Sequence, residues 1–181
     1  MREDAEYHGV RCKLVAHLGK AKIPFALDFS FGDPGTSTVI ELESVIDRDA
    51  VRLEAYPLTL NLAEKIVTAM QRRDTSTRDR DFADLWVTSR LHSLKAAELR
   101  THVDQVAGHR GQLITTMAEA LAAMPDRQQP YAAMVTRMSY LHPPPKLFTD
   151  LIAGVIDFAD PLIEDEAGVL IRWDHEQLRW T

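Results

Sequence analysis

AEKIVTAMQRRDTSTRDRDFADL, residues 63–85, is where the chain turns from strand to helix spacing. Leu58, Leu62, Ile66, Ala69 and Met70 recur every three or four residues, which predicts an amphipathic helix starting near Leu58. The polar run RRDTSTRD interrupts the stripe. Phe82, Leu85, Trp86 and Ser89 then mark the buried side of a second helix, with Thr77 or Asp79 as its N-cap. Lys65 lies at the border of the first stripe, where its methylenes can cover the core while its ammonium stays in a groove. Asp81 and Asp84 stand three residues apart in a first turn and can face one side. Two readings stay open at this point: a catalytic half-site, or a salt-bridged helical hairpin whose acidic first turn simply suits the helix dipole.

Upstream of this stretch the period is two. In residues 10–18, VRCKLVAHL, Val10, Cys12, Leu14 and Ala16 share a face. In residues 22–31, KIPFALDFSF, the residues Phe25, Leu27, Phe29 and Phe31 do the same, which turns Asp28 to the opposite face with Ala26 and Ser30. TVIEL and VRLEAYP are two further short strands, and GDPGTS is a loop. Downstream, helices are expected at roughly residues 93–109, 113–124 and 144–158, within the usual boundary tolerance. HPPPK is a breaker whose last proline suits a helix start, and the tail GVLIRWD…LRW adds a strand or a short cap. Strands first and helices after give an α+β class: an N-terminal mixed sheet of three to four strands, then a helical C-terminal part.

Composition narrows the function classes. The chain has 181 residues, 45% of them hydrophobic and 27% charged, as a soluble domain with a core requires. A net charge of −6 argues against a general polyanion binder, so any nucleic-acid contact must come from a local basic patch. Arg72, Arg73, Arg78 and Arg80, with Lys65, form the most basic stretch. They read either as phosphate-contacting residues or as a solvated loop paired to Asp74 and Asp79. Cys12 is the single cysteine, which excludes a disulfide framework and fits a reducing cytoplasm. The acidic, polar start MREDAEYHG does not read as a signal peptide, and LFTDLIAGVIDFADPLI is broken by Asp150, Asp157 and Asp160, so no membrane span is expected. The seven histidines show no metal-binding spacing. Asp28, in an otherwise apolar strand, needs a partner or a cation if it is covered, and Mg²⁺ is the hard ion such a carboxylate suits; exposed to solvent, it needs neither.

Three ordered segments carry a resemblance: LDFSFGD (27–33), LEAYPLTLNLAEKIVTAM (53–70) and STRDRDFADLWVTSR (76–90). Together they resemble the AbiEii/AbiGii toxin family of nucleotidyltransferases, whose pattern runs Ile-Asp-Val-x-x-Gly-Asp, then Tyr-Pro…Ala-Glu-Lys, then Ser-Arg-x-Lys-Asp-Phe-x-Asp-Leu. About half the chain carries it strongly and the C-terminal helices loosely. The resemblance implies a fold like that of DNA polymerase β, with residues 1–92 a partial nucleotidyltransferase core and 93–181 a helical region. It implies a bacterial, cytoplasmic protein of toxin–antitoxin or phage-defence systems that moves a nucleotide from an NTP to an RNA acceptor such as tRNA. The implied partners are the NTP, the RNA and a cognate antitoxin protein. On that pattern Lys65 and Asp81 are catalytic, and Lys65, Arg72, Arg73 and Arg78 bind nucleotide or phosphate. Asp28 holds Mg²⁺. Arg80 replaces the usual lysine before Asp81 and keeps its charge but not its geometry.

The family's opening motif, Gly-Ser followed by Asp-x-Asp, does not occur in the 27 residues before Asp28. Gly35-Thr36 with Asp47-Arg48-Asp49 imitates it, but lies where the family has only a connection. Two-metal transfer needs paired carboxylates, and Asp28 alone cannot hold two Mg²⁺ ions. The alternative expectation is therefore a catalytically inactive remnant or binding module that interacts with a protein partner.

Overall fold

The computed structural model describes residues 9–30, 37–43, 49–73, 78–138, 140–165 and 168–181. Phe31, Gly32 and Asp33 of the first matching segment, Gly35, Thr36, Asp47 and Arg48 of the imitation, and Thr77 lie outside them. The chain forms two compact units, Met1–Pro34 and Gly35–Thr181.

The first unit contains an antiparallel hairpin of β1 (Gly9–Leu18) and β2 (Ala21–Ser30), in register from Gly9↔Ser30 to Leu18↔Ala21. Its two-residue turn places Gly19 first, at φ 58°, a conformation glycine adopts without the steric cost of a Cβ. The expected alternation is observed: Val10 faces Phe29, Cys12 faces Leu27 and Leu14 faces Phe25 on one side, while Arg11 faces Asp28 on the other. Phe25, Leu27 and Phe29 are nevertheless 43–48% exposed, so this apolar face is uncovered.

In the second unit β3 (Thr38–Leu42) and β4 (Val51–Ala55) form another antiparallel hairpin. Among the described residues the four N-terminal strands pair two and two, as two small antiparallel sheets; the class is α+β, as the order of elements implies. The helices are α1 (Leu58–Arg72), α2 (Asp79–Leu91), α3 (Ala96–His109), the single turn α4 (Met117–Ala120), α5 (Gln128–Arg137) and α6 (Phe148–Glu164). A small sheet joins β5 (Leu94–Lys95), β6 (Arg172–Asp174) and β7 (Arg179–Trp180) in that order, so the tail does add strands.

The core lies among the helices. Leu62, Ile66 and Met70 of the predicted stripe are buried, and α1 packs on α3 while α2 packs on α6. Trp173 and Trp180 close one side against Phe158, and each indole N–H finds a backbone carbonyl: Trp173 on Ser89 at 2.5 Å, Trp180 on Phe158 at 2.7 Å. Between α1 and α3, Thr59 donates its one proton to Glu98 (2.8 Å), so His102 Nδ1, 3.0 Å from the same oxygen, must be the donor there.

Several boundaries differ from the sequence reading, each for a local reason. The third helix starts at Ala96 because Leu94 and Lys95 pair with Trp173 and Arg172. The helix expected at 113–124 is one turn. Its start is fixed by Thr116, which accepts from the Glu119 N–H, and by buried Asp160, which accepts from the N–H groups of Met117 and Ala118. Burial raises the Asp160 carboxyl above its ordinary pKa, against the pull of those two N–H donors. The last helix begins after the prolines, at Phe148, and continues past Phe158 to Glu164, where Arg100 covers the carbonyls of Leu162 and Ile163. At α2 the N-cap is Arg78, and Asp79 is the first helical residue.

At Gly154 α2 and α6 approach closely: a Cβ there would stand 2.7 Å from the Trp86 ring, which also carries the Arg90 guanidinium 3.7 Å above its centroid. Gly154→Leu is expected to force this contact apart and destabilise the unit by about 1–3 kcal/mol, the usual cost of overpacking. Chemical denaturation reads it, and an unchanged midpoint would mean the helices have slack at this crossing.

Candidate functional site

Lys65, in the middle of α1, projects toward the first turn of α2. Its Nζ lies 3.0 Å from Asp81 Oδ1 and 2.9 Å from Asp84 Oδ2. The three side chains are 18%, 20% and 30% exposed, so the cluster is neither open surface nor sealed core. The i, i+3 spacing of the two aspartates is what lets one ammonium bridge both. Burial alone would lower the Lys65 pKa, but the hydrogen bonds to Asp84 and Asp81 outweigh it and hold the ammonium above the ordinary lysine value. Arg78 Nη1 reaches the other Asp81 oxygen at 3.3 Å. Of the residues singled out in the sequence, the structure brings Lys65, Asp81 and Arg78 together.

The next layer was not foreseen. Asp79, 5% exposed, receives a two-pronged clasp from Arg127, Nε to Oδ1 at 2.6 Å and Nη2 to Oδ2 at 2.9 Å. This pair fixes the N-terminus of α2 against the N-terminus of α5. Asp79 stabilises the Arg127 guanidinium and raises its pKa, with burial opposing. The same N-terminal part of α5 is also secured by Tyr131, fully buried, whose hydroxyl donates to the Pro145 carbonyl and whose ring meets Phe148. Between α2 and α5 runs an open groove of about 440 Å³, lined by Arg78, Arg80, Arg127 and Arg137 together with Asp79 and Asp81. Tyr140 stands beside the cluster. Burial and the field of Asp84 raise its pKa, against Arg80 and Lys65, and its hydroxyl meets the sulfurs of Met138 and Met134 at 3.3 and 3.4 Å.

Arg72 and Arg73 lie at the end of α1 and are not among the residues lining the groove. Arg73 closes the helix with φ 48°, a costly conformation for a residue with a side chain. Asp28 belongs to the first unit, where Arg11 across the hairpin holds it at 2.5 and 2.7 Å. Those hydrogen bonds lower its pKa, so it is a satisfied carboxylate on an exposed face.

The described residues do not fit a pair of Mg²⁺ ions. They contain no group of three or more metal-ligating side chains, Asp28 is engaged by a guanidinium, and Asp81 and Asp84 share an ammonium. No helix among them is long and apolar enough to cross a membrane.

Comparison with known proteins places the chain in a family. The model for the nucleotidyl transferase AbiEii toxin of type IV toxin–antitoxin systems matches residues 1–159. No curated protein and no solved structure matches the chain.

Proposed function

The chain belongs to the AbiEii nucleotidyl transferase toxin family, and on that premise we propose that it transfers a nucleotidyl group from an NTP to a hydroxyl of an RNA acceptor such as a tRNA. The observation that carries this reading is the Lys65 ammonium, held half-buried between Asp81 and Asp84 beside an arginine-lined groove. An ammonium has three donors, and the two carboxylates occupy two of them. The third is available to a phosphate oxygen, where Lys65 stabilises the charge that builds up as the triphosphate breaks. The acceptor hydroxyl oxygen attacks the α-phosphorus, the bond from that phosphorus to the β-bridging oxygen breaks, and pyrophosphate leaves. The proton lost by the hydroxyl passes to Asp81, which lines the groove and orients the attacking group. Arg78, Arg72 and Arg73 contact phosphates of nucleotide or RNA.

Metal-assisted transfer is the chemistry the family implies, and Mg²⁺ at Asp28 requires that Arg11 release the carboxylate and that further ligands join it. No step here runs through the ion. Membership of a toxin–antitoxin family implies a cognate antitoxin, and the cytoplasm is the proposed site of action.

The test is labelling of tRNA from radioactive NTPs by the purified chain and by Lys65→Ala. The expected result is a signal from wild type reduced by two orders of magnitude or more in the variant. Equal signals would remove Lys65 from the mechanism.

A second reading has its own observation. The uncovered apolar face of the β1–β2 hairpin favours a binding module that meets a protein partner without turnover. Wild type giving no label with any NTP, with or without added Mg²⁺, supports that reading.

A further inference from the structure

We propose that the groove between α2 and α5 seats the phosphodiester backbone of the RNA acceptor, with Arg80 and Arg137 as its principal contacts. The inference rests on the transfer reading above for the identity of the acceptor, but the groove's charge and shape stand independently of it.

The charges of the groove do not cancel. Of its four arginines, Arg127 is consumed by buried Asp79, and Arg78 shares Asp81 with Lys65. Both lining carboxylates are thereby satisfied. Arg80 and Arg137 are exposed and enter no salt bridge among the described residues, although the chain as a whole carries a charge of −6. Arg137 uses its Nε on the Ala133 carbonyl of its own helix at 3.1 Å, which steers the guanidinium while leaving its terminal nitrogens for a ligand. Two surplus guanidiniums on a concave surface, in an acidic protein, are an anion site by their chemistry.

The shape favours a strand over a compact triphosphate. Arg127 and Arg137 bracket α5, so the basic wall extends roughly 15 Å along the helix axis at 1.5 Å per residue. Asp81, the residue that would take the acceptor's proton, lines the same groove, so a strand lying along α5 passes the reacting carboxylate. The remaining lining residues, Pro130 and Met134, offer an apolar floor and no aromatic ring on which to stack bases. Such a groove contacts the backbone without reading sequence. The surrounding structure is rigid enough to hold it, because the Asp79–Arg127 clasp and the Tyr131 anchor fix both helices independently of Arg80 and Arg137.

The test compares wild type with Arg80→Gln, Arg137→Gln and the double variant. All are surface changes whose folding is verified by thermal melting. The probes are unmodified tRNA, ATP and polyglutamate. The expected result is a tenfold or greater loss of tRNA affinity in the double variant, with a smaller loss in each single one. The slope of log affinity against log salt should become shallower by about 0.7–0.9 per phosphate contact removed, and ATP affinity should be unchanged. Four results would each overturn the proposal: no tRNA binding by wild type, tRNA affinity unaltered in the double variant, an equal loss for ATP, or displacement of tRNA by polyglutamate at matched charge. The last would mark the groove as a site for an acidic protein. The transfer reading fails separately: groove-dependent tRNA binding with no nucleotide incorporation refutes transfer and leaves the groove standing, whereas transfer with an unaltered KM for tRNA in the double variant refutes the groove alone.

Discussion

Arg127→Ala is expected to destabilise the helical unit by about 3–5 kcal/mol, because it leaves the Asp79 carboxylate buried without its counter-charge. The side chains of Arg127 and Asp79 are 16% and 6% exposed, so the Asp79 carboxylate has given up most of its hydration and relies on its partner. A loss of that size is a large fraction of the stability of an ordinary domain. Urea denaturation followed by circular dichroism measures it as a lower midpoint with an unchanged slope. Arg127→Lys keeps the charge but cannot form both parallel hydrogen bonds, and falls between wild type and alanine. The informative variant is the double replacement Asp79→Leu with Arg127→Met, which removes both charges and recovers most of the loss. If the two single losses simply added instead, the destabilisation would have come from packing and not from an abandoned charge. The effect reaches function through geometry, since the clasp sets where the Arg137 end of α5 lies relative to Asp81.

What could be read in the sequence was local, and what could not was distant along the chain. The alternation of β1 and β2, the Asp28 face and the α1 stripe follow from periods of two and 3.6, which neighbouring residues carry by themselves. Lys65, Asp81 and Asp84 were legible as candidates because they stand close together in the sequence, within twenty residues. The helix α5 was not among the expected helices, although Tyr131, Met134, Val135 and Met138 have helical spacing after Pro130. That proline stands in the first turn, where its missing N–H costs nothing. Arg127 could not be found at all: its partner is 48 residues away, and an arginine in a polar segment carries no local signal. The groove is therefore half legible. The wall on α2 was foreseen as a basic patch, while the wall on α5 emerges only when the helices pack. Asp28 illustrates the converse. Its alternation was read correctly, yet the residue across the ladder, Arg11, depends on a register that spacing alone did not specify.

Lys65→Met separates the two roles that its position allows. As the bridge of a helical hairpin, Lys65 neutralises Asp81 and Asp84, and its removal leaves two part-buried acceptors short of a donor, at an expected cost of about 1–3 kcal/mol. Converting both aspartates to asparagine in the Lys65→Met background recovers stability but not transfer activity. The alkaline limb gives an independent reading. The ammonium binds its proton more tightly in the folded chain than in the unfolded one, because the carboxylates of Asp84 and Asp81 outweigh burial. Its contribution to stability is thus fully present below the ordinary lysine value of 10.5 and disappears as pH rises through the higher folded value. Between pH 9 and the strongly alkaline range, wild type should lose its advantage over Lys65→Met, and the two denaturation midpoints should converge. Other lysines and tyrosines titrate there too, but they are common to both proteins and cancel in the difference. Midpoints that stay a constant distance apart would show that the methylenes of Lys65, not its charge, hold the helices. A purely structural lysine would cost stability without touching transfer at pH 8, where both proteins are folded. A loss of incorporation there, at unchanged tRNA affinity, assigns the charge of Lys65 to the triphosphate and not to the hairpin.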